Sequence, residues 1–228
     1  MQRIFSAVGL TLSLLMVVFV LGCGQSGDTQ QAAKQEAEQS ADPHAGMMGH
    51  GDMGGGVQLV DGKLPIGPWM ATLPEGWTAE RPASSMRQAQ IHLAPVEGDP
   101  DEASVVAFYF GPEAGSVEMN IERWMNQFSK ADGSPLTEAD VTRSSGPLND
   151  HELTFISFNG TQKPSSMPGA PQTGEQSGWM NVSAIIMTDQ GPWFFKGTGP
   201  EATMQHNIAA FKQFLNNLEY GEMTAHHG

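Results

Sequence analysis

Hydrophobic and polar positions divide the chain into three regimes. Residues 4–20 form an almost uninterrupted apolar segment, 24–56 hold few large apolar side chains, and from Val57 onward short apolar runs alternate with Gly, Pro, Asn and Asp. Runs rich in β-branched and aromatic residues and bounded by turn residues predict strands at 69–73, 88–93, 105–110, 151–158, 181–187 and 193–196. Successive side chains on a strand point to opposite faces. In the third run Val106, Phe108 and Phe110 therefore oppose Val105, Ala107 and Tyr109, and in the fifth Val182, Ala184 and Ile186 oppose Ser183, Ile185 and Met187. Both faces of these strands are apolar enough to need cover, which predicts central strands packed on two sides.

Two amphipathic stripes are placed to supply that cover. Val117, Ile121, Trp124, Met125 and Phe128 recur at helical spacing, with Ser116 as N-cap and Glu118 in the first turn. A second stripe, Met204, Ile208, Phe211, Leu215 and Leu218, follows Pro200 and Glu201, a favourable helix start. Thr188-Asp189-Gln190-Gly191 predicts a hairpin turn between the last two strands. The order of elements predicts an α+β domain over 57–220, a mostly antiparallel sheet flanked by two helices, with a flexible tail at 221–228. Residues 162–178 interrupt the pattern with Pro164, Pro168 and Pro171 among Ser, Gly and Gln, which predicts a long loop, mobile or partner-binding.

The apolar N-terminal segment follows Arg3 and stops at Val20-Leu21-Gly22-Cys23, which contains the chain's only cysteine. A positive residue, an apolar run and a small residue before the cysteine predict a lipoprotein signal peptide at 1–22. An uncleaved span is the competing account, because such a run approaches the ~17–25 residues that a membrane helix needs. With Cys23 lipidated, two or three acyl chains, each contributing about 0.8 kcal/mol per buried methylene, hold the protein on a membrane stably. Gly24, in place of Asp, predicts outer-membrane sorting in a double-membraned cell, with the domain facing the periplasm. Residues 23–56 then predict a flexible tether, too poor in apolar side chains to offset its ordering entropy. Its extended reach is on the order of 100 Å, with a mean of roughly 30 Å.

Charge narrows the partners. The net charge of the 228 residues is −14, a sign that repels phosphate backbones and argues against nucleic-acid binding.

The densest local chemistry lies in the tether, where His44, Met47, Met48, His50 and Met53 fall within ten residues, 44–53. Thioether sulfur favours Cu(I) and imidazole favours Cu(II) or zinc, so this cluster is the candidate copper site. Met223, His226 and His227 are possible additional ligands, and low-complexity drift in a linker is the simpler account of the whole pattern. Asp150, His151 and Glu152 suggest acid–base chemistry. Alternation on a strand, however, points His151 away from its two neighbours. His92 and His206 are isolated. No nucleophile elbow, zinc-protease helix, phosphate-binding loop or dinucleotide fingerprint is present, and a lipidated Cys23 has no free thiol. The expectation is a protein that is not an enzyme.

Two segments carry a family resemblance: Asn120-Ile121-Glu122-Arg123-Trp124-Met125-Asn126-Gln127-Phe128 and Gly191-Pro192-Trp193-Phe194-Phe195-Lys196-Gly197-Thr198-Gly199-Pro200. They resemble signatures of a group of uncharacterised bacterial envelope lipoproteins. More distantly, the element order over 67–220 is similar to the PsbP-like sandwich shared by PsbP and DcrB. The resemblance implies a sheet between helices and an accessory or binding role, with no cofactor motif to carry over. The residues themselves have structural accounts: Ile121, Trp124 and Phe128 as a buried helix face, Trp193 and Phe195 alternating with Phe194 and Lys196, and Gly197-Thr198-Gly199-Pro200 turning the chain into the second helix. A functional account is an anion site at the Gly199–Pro200 helix start assisted by Lys196 or Arg123, with Glu201 competing for the same dipole. Together these features predict a membrane-anchored binding or accessory lipoprotein with a protein or small-ligand partner, or alternatively a copper-handling protein.

Overall fold

The computed structural model describes residues 57–165 and 174–221. Strands β1 (Leu64–Ile66), β2 (Trp69–Ala71), β3 (Trp77–Glu80), β4 (Arg87–Leu93) and β5 (Ala103–Tyr109) precede helix α1 (Val117–Met125). Then follow β6 (Phe128–Ser129), a single 3-10 turn (Glu138–Asp140), β7 (Thr142–Leu148), β8 (His151–Gln162), β9 (Gln176–Thr188), β10 (Gly191–Pro200), helix α2 (Glu201–Asn216) and β11 (Glu219–Tyr220). The main sheet runs β3-β4-β5-β10-β9-β8-β6, with β7 also paired to β8, and a small sheet runs β1-β2-β11. Every strand pair is antiparallel. The domain is thus α+β, a mostly antiparallel sheet flanked by two helices in a sandwich-like arrangement.

The period-two alternation of the central strands explains why the sheet needs both helices. Val105, Ala107, Val182, Ala184, Ile186, Trp193 and Phe195 enter one core with Met204, Phe211, Phe214 and Leu215 of α2. Ile185, Phe194, Ile156 and Phe158 enter a second core with Ile121 and Trp124 of α1. Burying such side chains contributes about 1.5–3 kcal/mol each. Ser116 caps α1 by accepting the Met119 N–H at 3.2 Å, with Glu118 in the first turn. The hairpin at 188–191 forms as the sequence predicts, with Gly191 at φ +112°.

Four expectations need correction. Leu218 is not on α2, which ends at Asn216, although it stays buried in the α2-side core. Phe128 is not on the helix: α1 stops at the Asn126 C-cap, and Phe128 pairs with Gln162 as β6, although it stays buried in the α1-side core. The residues from Gly197 to Pro200 do not turn; β10 continues through them and α2 starts directly after. Gly197 lies close enough to β9 and α2 that a Cβ would sit 2.8 Å from both the Val182 carbonyl oxygen and Met204 Cε, while a Cβ on Gly199 would overlap Ala103 of β5. The glycines are there for close packing. The interruption at 162–178 is also shorter than expected, because β8 reaches Gln162 and β9 begins at Gln176, and these two residues pair.

The sheet faces differ in cover. On the α2 side Ala89, Ile91, Leu93, Val105 and Ala107 are all buried. On the α1 side, Ile121 and Trp124 of α1 pack with residues of β8, β9 and β10 and with the half-buried Phe108 of β5, and Val106 of β5 is also buried. Beyond β5 the face opens: Thr78 is exposed, Gln90 and His92 are half-buried, as is Ser104 at the start of β5, and Phe110, just past β5, is 48% exposed. An antiparallel sheet tolerates such a solvated half.

Candidate functional site

The α1-side face carries the most unusual polar chemistry of the domain. Angular spacing of 100° per residue places Ser116, Asn120 and Arg123 on one stripe, beside the apolar stripe that enters the core, and Gln127 follows just after the Asn126 C-cap. Asn120 is buried and its Nδ2 donates to the Ala114 and Ser116 carbonyls at 3.0 and 2.8 Å. Its Oδ1 accepts from Arg123, which reaches back along the helix. Asn120 thereby locks the turn before α1 and orients the guanidinium. An open depression of about 290 Å³ is lined by Ala114, Met119, Asn120, Glu122, Arg123 and Asn126.

Lys196 meets this stripe from the sheet. It alternates with Phe195 and Gly197 on β10, so its side chain rises on the α1 side, where Nζ donates to Gln127 Oε1. No carboxylate of the described residues lies within ion-pair distance of it. Burial first, and the nearby Arg123 charge second, lower its pKa from 10.5 to about 8. Next to it on β9 lie Ser183 and Asn181, both fully buried. The Ser183 hydroxyl donates to Asn181 Oδ1 at 2.8 Å, and Asn181 Nδ2 is buried with no partner among the described residues.

The other anion-site residue is elsewhere. Gly199 lies on β10 with its Cα facing Ala103 on the α2 side, so the structure does not bring Lys196 to the start of α2. That helix start is already served from within the chain: Asp99 Oδ2 accepts the Thr203 N–H at 2.8 Å and the Thr203 hydroxyl, and Asn159 Nδ2 donates to Glu201 at 2.6 Å. A carboxylate at the positive end of a helix is favourable.

His151 heads β8 at the rim of an open depression of about 550 Å³, lined also by Ser145, Pro147, Asn149, Asp150 and Glu152. Its ring packs edge-on against Trp69 and Tyr220, with centroids 5.4 and 4.6 Å away. Trp69 is fully buried and its Nε1 has no hydrogen-bond partner among the described residues. His92 Nδ1 lies 3.2 Å from Glu102 Oε2 on the partly solvated strands, and His206 is exposed on α2. Among the described residues no group of three or more His, Cys, Asp or Glu is placed to hold a metal ion. Cys23, His44, Met47, Met48, His50, Met53, Met223, His226 and His227 lie outside the described residues. No helix of the described residues is long and apolar enough to cross a membrane.

Sequence reasoning singled out Arg123 and Lys196 but missed Asn120, Gln127, Asn181 and Ser183. The polar stripe at helical spacing was available as a signal for the first two. For Asn181 and Ser183 the available signal was polar residues inside an otherwise apolar run. No protein-family model matches the chain, and a search of curated proteins found none similar to it.

Proposed function

We propose that this protein is a lipid-anchored accessory protein of the cell envelope whose folded domain binds a partner or small ligand without catalysing a reaction. The observation that carries the reading is Val20-Leu21-Gly22-Cys23 at the end of the apolar run. The folded domain begins at Val57, so a low-complexity segment separates it from the acylated residue and lets it work at a distance from the bilayer. The PsbP-like element order supports an accessory role by analogy of fold alone. The binding surface of this reading is the α1-side face, where half the sheet is solvated and Lys196 and Arg123 face oxygen acceptors without acidic partners. The test is acylation in a double-membraned bacterial host grown with labelled palmitate. Wild type should carry label and partition into the outer membrane, whereas Cys23→Ser should carry none and be released from the membrane. Equal labelling of the two chains sinks the reading.

A second reading is favoured by the composition of 44–53: His44, Met47, Met48, His50 and Met53 bind copper in the tether and deliver it or buffer it at the membrane.

A further inference from the structure

In a chain this acidic most cations should find a carboxylate, and Lys63, Lys130 and Arg143 do, at 3.2 Å or less. Among the described residues Arg81, Arg87 and Lys212 do not, Arg87 reaching the Gln90 side chain and Lys212 lying over the Phe155 ring, and neither do Arg123, Lys163 and Lys196. The last three reach neutral oxygens in and just after α1: Arg123 the Asn120 side chain within the helix, Lys163 the Asn126 carbonyl at its C-cap and Lys196 the Gln127 side chain one residue further on. The helix dipole accounts for part of this, since terminal carbonyls attract cations. That account suits Lys163, which donates to Asn126 O at 3.2 Å, and Arg123 in the last turn. It does not suit Lys196, which rises from the sheet and reaches only a neutral side-chain amide.

Placing two like charges together, one of them largely out of water, is costly unless something compensates. We propose that Lys196 and Arg123 form a binding site for a small oxyanion, a carboxylate or phosphate group, where α1 borders the solvated half of the sheet. Gln127 Oε1 occupies the Lys196 ammonium in the free protein and swings aside when the anion arrives. Arg123, exposed on the wall, supplies the planar fork that matches a carboxylate or phosphate. Lys163 adds long-range attraction from the loop edge. Asn181 Nδ2, without a hydrogen-bond partner among the described residues, is a further donor on the same face, two residues along β9 from Ser183, which pairs with Lys196. Glu122 also lines the depression beside Arg123 and sets a limit on how much negative charge the site accepts. Because Lys196 loses its proton near pH 8, affinity should fall as pH rises through that range, and a bound anion should move the loss of the proton upward.

The test uses the full chain in detergent and follows the Lys196 and Arg123 side-chain NMR signals during separate titrations with inorganic phosphate and with acetate. Saturable shifts at Lys196, Arg123 and Gln127 are expected. Lys196→Met and Arg123→Gln should each weaken binding about tenfold or more, and Lys212→Met, on the opposite helix, should leave it unchanged. Saturation by phosphate, by acetate or by both supports the site and assigns its oxyanion class. Saturation by neither, or affinity equal to wild type in the Lys196→Met and Arg123→Gln chains while both remain cooperatively folded, overturns it. Acylation of Cys23 is untouched by either result.

Discussion

Lys196 carries the clearest residue-scale consequence of the fold. Its lowered pKa means that the folded state disfavours the charged amine, so the sign of the pH effect is opposite to that of a salt-bridged lysine. Below about pH 8 both folded and unfolded chains hold the proton and the full penalty is present. Between about 8 and 10.5 the unfolded chain keeps a proton that the folded chain has lost, so this group makes stability rise with pH. Lys196→Met should therefore stabilise the domain at pH 7 by on the order of 3 kcal/mol. Denaturant titrations at several pH values should show that gain shrinking from pH 8 and gone above pH 10.5. A pH-independent difference would refute the assignment. Asp140 shows the reverse sign: hydrogen bonds from Thr137 and the Lys130 ammonium lower its pKa from 3.8 to about 2, so its contribution is present above 3.8 and lost as pH falls toward 2.

At the scale of elements, local patterning and long-range pairing divide the work. The N-terminus of α1 follows from Ser116, and Ser116→Ala should cost about 1 kcal/mol in chemical denaturation, with no change in the hairpin signals of β9 and β10. A null effect would mean that Asn120, which ties Ala114 and Ser116, holds the turn alone. Both helical stripes and the two-sided alternation of β5 and β9 were legible because burial imposes a period on them. β7 was not, since Thr142 to Ser145 are exposed and the strand exists through its ladder to β8, including the Ser145–Thr154 hydroxyl contact at 3.0 Å. Pro147 sits in this strand, which pairs only with β8. β2 lies within the predicted strand at 69–73, whereas β1 and β11, three and two residues long, are too short for alternation to be seen, and β11 pairs with β2 from the other end of the domain. The candidate site was half legible for the same reason. Arg123 follows the α1 period and Gln127 sits just past the helix cap, but their nearness to Lys196 depends on where β10 lies under the helix.

For the whole molecule, the proposed tether chemistry and the chemistry of the described domain can be tested apart. Deleting 24–56 while keeping Cys23 should leave the unfolding midpoint of the domain unchanged. The same deletion should abolish Cu(I) protection in competition with a chelator, if the Met and His cluster holds the ion. Undiminished protection would exclude the tether and with it the copper reading as stated. From the sequence alone came what depends on composition and period: the predicted export signal and lipidation site at Cys23, the acidic charge that disfavours nucleic acid, two amphipathic helices and a two-sided antiparallel sheet. The tertiary structure alone decided which polar groups meet. It placed Asp99 at the start of α2, separated Gly199 from Lys196 by putting them on opposite faces of one strand, and drew Lys196 to Gln127 and Arg123. Hydrophobic periodicity is a one-dimensional signal because every core position answers to the same solvent. A polar site depends on distances of a few ångströms between residues far apart in sequence, and those exist only once the strands are in register.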